Sequence, residues 1–116
     1  MAVYVSNIVI EQGVDFGTSF ELEDTITNLP LNLVGYAVTS QLRKSYTSSS
    51  SVSFASSIVT ANQGTISITL TPEQTSSLKA GRYVYDVVLE QSLPGGNIQK
   101  TKAVEGMALV RGGVTR

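Results

Sequence analysis

The chain has no cysteine and no histidine. Disulfides, thiolate metal sites and cysteine nucleophiles are therefore excluded. So are the commonest general base and the commonest metal ligand. Charge is also scarce, at 15% of residues against about 25% in an average globular domain. Eight basic and nine acidic residues leave a formal net charge of -1. That is too little positive field to neutralise many phosphates, so no nucleic-acid partner is expected. No run approaches the about 20 apolar residues of a membrane helix, so no membrane partner is expected either. Met1-Ala2-Val3-Tyr4 has neither a basic n-region nor a long apolar run. No signal peptide is expected, and synthesis in a cytoplasm follows.

What is present fits one domain of 116 residues, with 41% apolar content. A chain of this size buries roughly 60–70% of its unfolded surface and folds unaided. Serine and threonine take the place of the missing charge, which suits sheets with one wet, hydroxyl-rich face.

Alternation dominates the pattern and predicts strands. Tyr4 to Ile10 is a short apolar-rich run read as one strand. Phe16, Thr18, Phe20 and Leu22 alternate with polar or small residues, giving a half-buried strand. Glu23 to Pro30 reads as a loop. Tyr36, Val38, Ser40 and Leu42 form the next alternating face. Ser45 to Ser57 reads as a polar loop leading into a short or edge strand near Val52 to Thr60. Asn62-Gln63-Gly64 marks a turn joining it to the alternating Ile66–Leu70 segment. Thr71-Pro72-Glu73-Gln74 has the form of a capping box with proline at the first helical position. It predicts a short helix near residues 72–79, with Gly81 as terminator. Tyr83, Tyr85, Val87 and Leu89 then line one strand face, opposite Val84, Asp86 and Val88. Leu93 to Asn97 reads as a hairpin loop. Val104, Gly106, Ala108 and Val110 share a face of the last strand, Ile98 to Val110.

About seven short strands separated by turns predict an all-β sandwich, with a small barrel as the competing architecture. Residues 1–111 are expected to form a single domain and residues 112–116 a C-terminal tail. The segment Leu78-Lys79-Ala80-Gly81-Arg82-Tyr83 sharpens this. A short helix before a strand that opens with tyrosine is the arrangement of the tyrosine corner in immunoglobulin-like sandwiches. Tyr83 is expected to close such a corner.

No residue set carries chemistry. Glu21, Glu23 and Asp24, with Asp15 nearby, lack EF-hand spacing and read as a solvated acidic edge, not a calcium site. Asp86 has no second carboxylate to pair with as a catalyst, and reads as an inward or edge charge that blocks strand pairing. The serines of 45–57 lack a histidine base and a Gly-x-Ser-x-Gly elbow. Arg43, Lys44, Lys100 and Lys102 read as solvated strand edges. Pro94-Gly95-Gly96 lacks the lysine and helix of a phosphate loop. No catalytic, metal or cofactor site is expected, and no binding residue is assigned.

The strings Ile66-Ser67-Ile68-Thr69-Leu70-Thr71-Pro72-Glu73-Gln74-Thr75 and Leu78 to Val87 resemble a group of small bacteriophage and prophage virion proteins. So do the ending Val104 to Val110 closing in Val114-Thr115-Arg116, and the earlier Leu31 to Tyr36 and Gln41 to Lys44. The resemblance spans roughly residues 5–116. More distantly, the chain is similar to the N-terminal domain of baseplate upper proteins that tether receptor-binding proteins to phage tails. The Leu93–Asn97 hairpin looks longer than the family's usual turn, and the serine-rich loop is plainer.

The resemblance implies a non-enzymatic Ig-like adaptor in a virion tail, baseplate or neck. Its expected partners are other virion structural proteins, arranged in a symmetric homo-oligomer or ring. The Tyr4–Ile10 strand and the Gly112–Arg116 tail are the expected edges for strand addition. A capsid-surface decoration protein is one alternative. A carbohydrate- or receptor-binding module is another, with Tyr46 as the aromatic not assigned to the core. An enzyme ranks last.

Overall fold

The structure, a computed structural model, describes residues 4–24 and 27–114. The described residues form nine strands: β1 (Tyr4–Val5), β2 (Ile8–Glu11), β3 (Phe16–Glu21), β4 (Tyr36–Arg43), β5 (Val52–Ser53), β6 (Ala55–Thr60), β7 (Thr65–Leu70), β8 (Gly81–Ser92) and β9 (Ile98–Arg111). One helix, α1 (Pro72–Ser77), joins β7 to β8. The larger sheet has the order β1-β9-β8-β4-β5, with β2 also on β9, and the smaller has the order β3-β7-β6. The two sheets remain separate, so the barrel alternative does not hold. This strand order, with antiparallel pairing in both layers except where the first strands run parallel to the last, is that of an Ig-like sandwich.

The alternating residues build the core between the sheets as the sequence pattern predicts. Ile66, Ile68 and Leu70 of β7 face Leu42, Tyr85, Val87 and Leu89 of the larger sheet, and all are buried. The opposite face of the smaller sheet carries hydroxyls. Ser57 and Ser67 bond across β6 and β7 at 3.0 Å, and Ser19 lies opposite Ser67 on β3. A β-bulge in the β8–β9 hairpin, where Val87 pairs Val104 and Val88 pairs Lys102, turns Ala103 inward beside Val104. Alternation read from Val104 alone misses this extra core residue, because a bulge shifts the period by one.

The Tyr4–Ile10 strand is divided. β1 and β2 both run parallel to β9 in one register, Tyr4 opposite Val104 and Ile8 opposite Ala108, but the ladder breaks at Ser6-Asn7. There the Asn7 side chain accepts the Met107 N–H at 3.1 Å. The Ser6 carbonyl instead accepts the Tyr85 hydroxyl at 2.5 Å. Tyr85 lies on β8 and Gly106 is its direct partner on β9. A Cβ on Gly106 would fall 2.1 Å from the Ser6 oxygen, so only glycine admits this approach. The Tyr85 ring also meets Phe54 edge-on at 6.1 Å, and Phe54 meets Phe16 of β3 at 6.0 Å. A run of aromatic rings thus crosses from one sheet to the other.

The strand expected near Val52 to Thr60 forms, divided into β5 and β6. Residues 55–57 belong to β6. Phe54 is the point at which the chain leaves the larger sheet, where β5 pairs β4, for the smaller one, where β6 pairs β7. Buried Phe54 anchors that switch, while Ser57, opposite Ser67, occupies the wet face.

The ends of the sandwich are closed by a turn and by the helix. Gly64, in the left-handed region at φ 68°, follows the β6–β7 turn. Its carbonyl accepts from Leu22 N–H at 2.9 Å, and the Leu33 N–H donates to Ala61 at 2.8 Å. These bonds dock Leu22 and Leu33 into the core. At the other end Thr71 and Gln74 complete the predicted capping box. Thr75 of α1 is fully buried and its hydroxyl lies 2.9 Å from the Val14 carbonyl. The helix ends at Leu78, whose backbone is extended, and not at Gly81. Gly81 instead opens β8. The tyrosine corner forms as expected: the Tyr83 hydroxyl donates to the Lys79 carbonyl at 2.8 Å. β9 ends at Arg111 and Gly112 to Val114 lie outside the strands, while Thr115 and Arg116 fall outside the described residues.

Two outcomes test this account. A Cβ at Gly64 would meet the Leu22 carbonyl at 2.4 Å as well as sitting at positive φ. Gly64→Ala should therefore destabilise the fold by about 2–4 kcal/mol in urea unfolding. Burial pushes the Tyr85 hydroxyl above its ordinary pKa. Its stabilising contribution is then complete below about pH 10 and is lost as pH rises through the raised value. Tyr85→Phe should cost about 1–2 kcal/mol at pH 7 and flatten the alkaline fall in stability. Equal alkaline slopes in both proteins would count against the assigned burial.

Candidate interaction face

The two outward faces differ in kind. The smaller sheet presents small and hydroxyl-bearing residues. The larger sheet presents charges, exposed aliphatics and a groove. Its outward residues follow from register: Val5 lies opposite Glu105, Val9 opposite Leu109, Met107 opposite Val84, and Glu105 opposite Asp86.

Toward the β1–β2 edge this face is apolar. Val5 is 74% exposed, Met107 50%, Val9 47% and Leu109 40%. The strip is bordered by an ion pair between Arg111 and Glu11 and by the charged centre of the sheet. It runs beside β1 and β2, which pair with β9 on one side and form the edge of the larger sheet on the other. The expectation of a Tyr4–Ile10 edge therefore acquires an adjoining apolar surface, which the sequence reading did not assign. Met107 and Leu109 alternate with Ala108 and Val110, so their outward phase was legible. Their proximity to Val5 and Val9 was not.

At the centre of the sheet Asp86 is neither inward nor on an edge. It sits on the outward face of β8, between β4 and β9. Its cross-strand partner is Glu105, a like charge, and such pairs repel. Lys102 relieves the repulsion from the displaced register of the bulge, lying 3.2 Å from Glu105 and 3.7 Å from Asp86. The hydrogen bond to Glu105, with the field of Asp86, holds the Lys102 ammonium above its ordinary pKa. Lys100 pairs with Glu90 at 3.7 Å. The lysines are thus part of a cross-strand charge network, a closer arrangement than the solvated edges expected.

Beyond that network lies a groove of about 410 Å³ lined by Thr39, Gln41, Arg43, Tyr46, Asp86 and Glu90 among others. Arg43 ends β4 and fixes the following loop, donating to the Ser48 carbonyl at 2.6 Å and to Gln41 Oε1 at 3.1 Å. Tyr46 stands at the groove and is 75% exposed. Lys44 turns away, its ammonium 4.7 Å over the Tyr83 ring.

The remaining sequence-marked groups lie elsewhere. Glu21 points outward from β3, opposite Thr65. Glu23 is exposed, and Asp24 turns its loop, accepting the Asn28 N–H at 2.8 Å through its carbonyl. No group of three or more carboxylates placed to hold a metal ion occurs among the described residues. Pro94 to Gly96 forms the tip of the β8–β9 hairpin.

The bridging role of Lys102 has a measurable consequence. Lys102→Ala should cost about 0.5 kcal/mol, because the group is over a third exposed and screened. Adding Glu105→Gln, which removes the opposed like charge, should recover most of it, and the coupling should shrink in 1 M salt. A double-mutant cycle by urea unfolding reads both.

No model of a known protein family matches this chain, and none of the curated proteins does. Solved structures do. An internalin-like protein of Listeria monocytogenes aligns over 94% of this chain at 16% identity, with a TM-score of 0.46. This chain spans 28% of that protein's length. AggA, the major subunit of aggregative adherence fimbriae type I of Escherichia coli, aligns over 94% of this chain and 91% of its own, at 14% identity and a TM-score of 0.45. Likenesses this distant carry no functional argument. The strand order, the register and the Tyr83 corner make the chain an Ig-like β-sandwich in their own right.

Proposed function

We propose that the chain is a non-enzymatic structural protein of a bacteriophage virion, an Ig-like adaptor in the tail, baseplate or neck. The virion reading comes from the sequence resemblance. The observation that carries the adaptor role is the apolar strip of Val5, Val9, Met107 and Leu109 lying beside the β1–β2 sheet edge. Main-chain groups on an edge strand offer hydrogen bonds to a neighbouring chain, and adjoining apolar side chains add specificity. The two features together suit packing against a neighbouring virion subunit. A near-neutral chain also brings little long-range repulsion to a repeated, symmetric contact.

Mass spectrometry and cryo-EM of gradient-purified particles, produced from the genome that encodes the chain, test this reading. The chain should be present in a fixed copy number, with the β1–β2 edge against a neighbour. Its absence from the particles would overturn the proposal. The double variant Val9→Asp with Met107→Asp should remain folded, changing stability by about 1 kcal/mol per site or less, yet fail to enter the particle.

A further inference from the structure

The groove under Tyr46 is separate from the apolar strip, and the adaptor role leaves it without a purpose. Its chemistry is specific. Arg43 and Lys100 bring two positive charges, and Asp86 and Glu90 bring two negative ones. The charges of these four therefore cancel; Lys100 lies 3.7 Å from Glu90, and Asp86 lies 3.7 Å from Lys102. A phosphate or a free cation would meet groups of its own sign there. An apolar ligand would strand Thr39, Gln41 and the charged groups without water. A neutral polyhydroxylated ligand fits both conditions. Each hydroxyl donates one hydrogen bond and accepts others, so it can meet carboxylates, guanidinium and amide side by side.

Tyr46 supplies the second element. The loop that carries it is held by the Arg43–Ser48 bond and by a turn in which Ser48 N–H donates to Ser45 at 3.2 Å. Tyr46 lines the groove together with Asp86, Glu90 and Lys100. Most of its ring nonetheless remains in water. An exposed ring on a loop held in this way offers a flat apolar surface beside hydrogen-bonding groups, and the C–H face of a pyranose matches such a surface. The volume, about 410 Å³, lies in the ordinary range for small-ligand sites.

We propose that this groove binds a neutral saccharide, with one sugar ring stacked on Tyr46 and its hydroxyls held by Gln41, Arg43 and Asp86. The site is independent of the apolar strip, so either proposal can fail alone.

The test is a titration of the full chain, followed by two-dimensional NMR, with a panel of neutral tri- to pentasaccharides of glucose, galactose, mannose and N-acetylglucosamine. At least one should shift resonances of β4, β8 and the 44–51 loop in a saturable manner at concentrations up to about 10 mM. Tyr46→Ala should weaken that binding about tenfold or more, while Tyr46→Phe, which keeps the ring, should retain it. Tyr46 is exposed, so neither change threatens the fold. Overturning results are no saturable shift with any member of the panel, shifts confined to other faces, or binding unaffected by Tyr46→Ala.

Discussion

The hydrogen bond from the Tyr85 hydroxyl to the Ser6 carbonyl ties the first strand to the centre of the molecule. It depends on three residues far apart in sequence. Tyr85 must be buried on β8, Gly106 must lack a side chain on β9, and Ser6 must break its own ladder to turn its carbonyl inward. Each of these is a departure from plain sheet geometry that the others make tolerable. The ladder bond lost at Ser6 is replaced by the phenol, and the gap at Gly106 is filled by the carbonyl. Through Phe54 and Phe16 the same tyrosine reaches the second sheet. The edge strand, the sheet switch and the sandwich core thus share one anchor.

That anchor also shapes the outward face. Because the ladder breaks at Ser6-Asn7 without a change of register, Val5 and Val9 keep the same outward phase on either side of the break. They join Met107 and Leu109 in a single apolar strip. On the other flank, the bulge at Ala103 brings Lys102 within reach of both Asp86 and Glu105. Two irregularities in the larger sheet therefore separate its outer surface into an apolar part and a charge-balanced part. The smaller sheet has no comparable division, and its outer face is mostly small and hydroxylated, with Glu21 and Val59 as exceptions. Both proposed binding surfaces fall on the larger sheet for this reason.

Much of the architecture was legible because it follows local rules. The capping box of Thr71 and Gln74, the turn at Gly64 and the alternation of Tyr83 to Leu89 each formed where the residues predicted. The Tyr83 corner was legible too, since helix, turn and strand lie within a few residues of one another. The errors share a different origin. The expected strand near Val52 to Thr60 formed, but its division at Phe54 between two sheets was hidden, because its partners lie on β4 and β7. Gly81 read as a helix stop because its neighbours are helical in composition, yet tertiary pairing with Val110 drew it into β8. Asp86 read as an edge charge because sequence shows which face a residue takes but not which strands flank it. The groove went unread because Tyr46, Gln41 and Glu90 meet only through the pairing of β4 with β8.

The sequence by itself determined that the chemistry of cysteine and histidine is absent, that the chain is all-β, and which side chains alternate toward a core. Those properties depend on composition and on a period of two, and both are carried by neighbouring residues. Only the tertiary structure decided that the Tyr4–Ile10 strand divides at Ser6, that Ala103 turns inward, and that Asp86 and Glu105 stand opposed and are bridged by Lys102. These depend on register between strands distant in sequence. A shift of one residue in that register would exchange the inner and outer faces of a strand, and no local pattern records which register the packed sheets select.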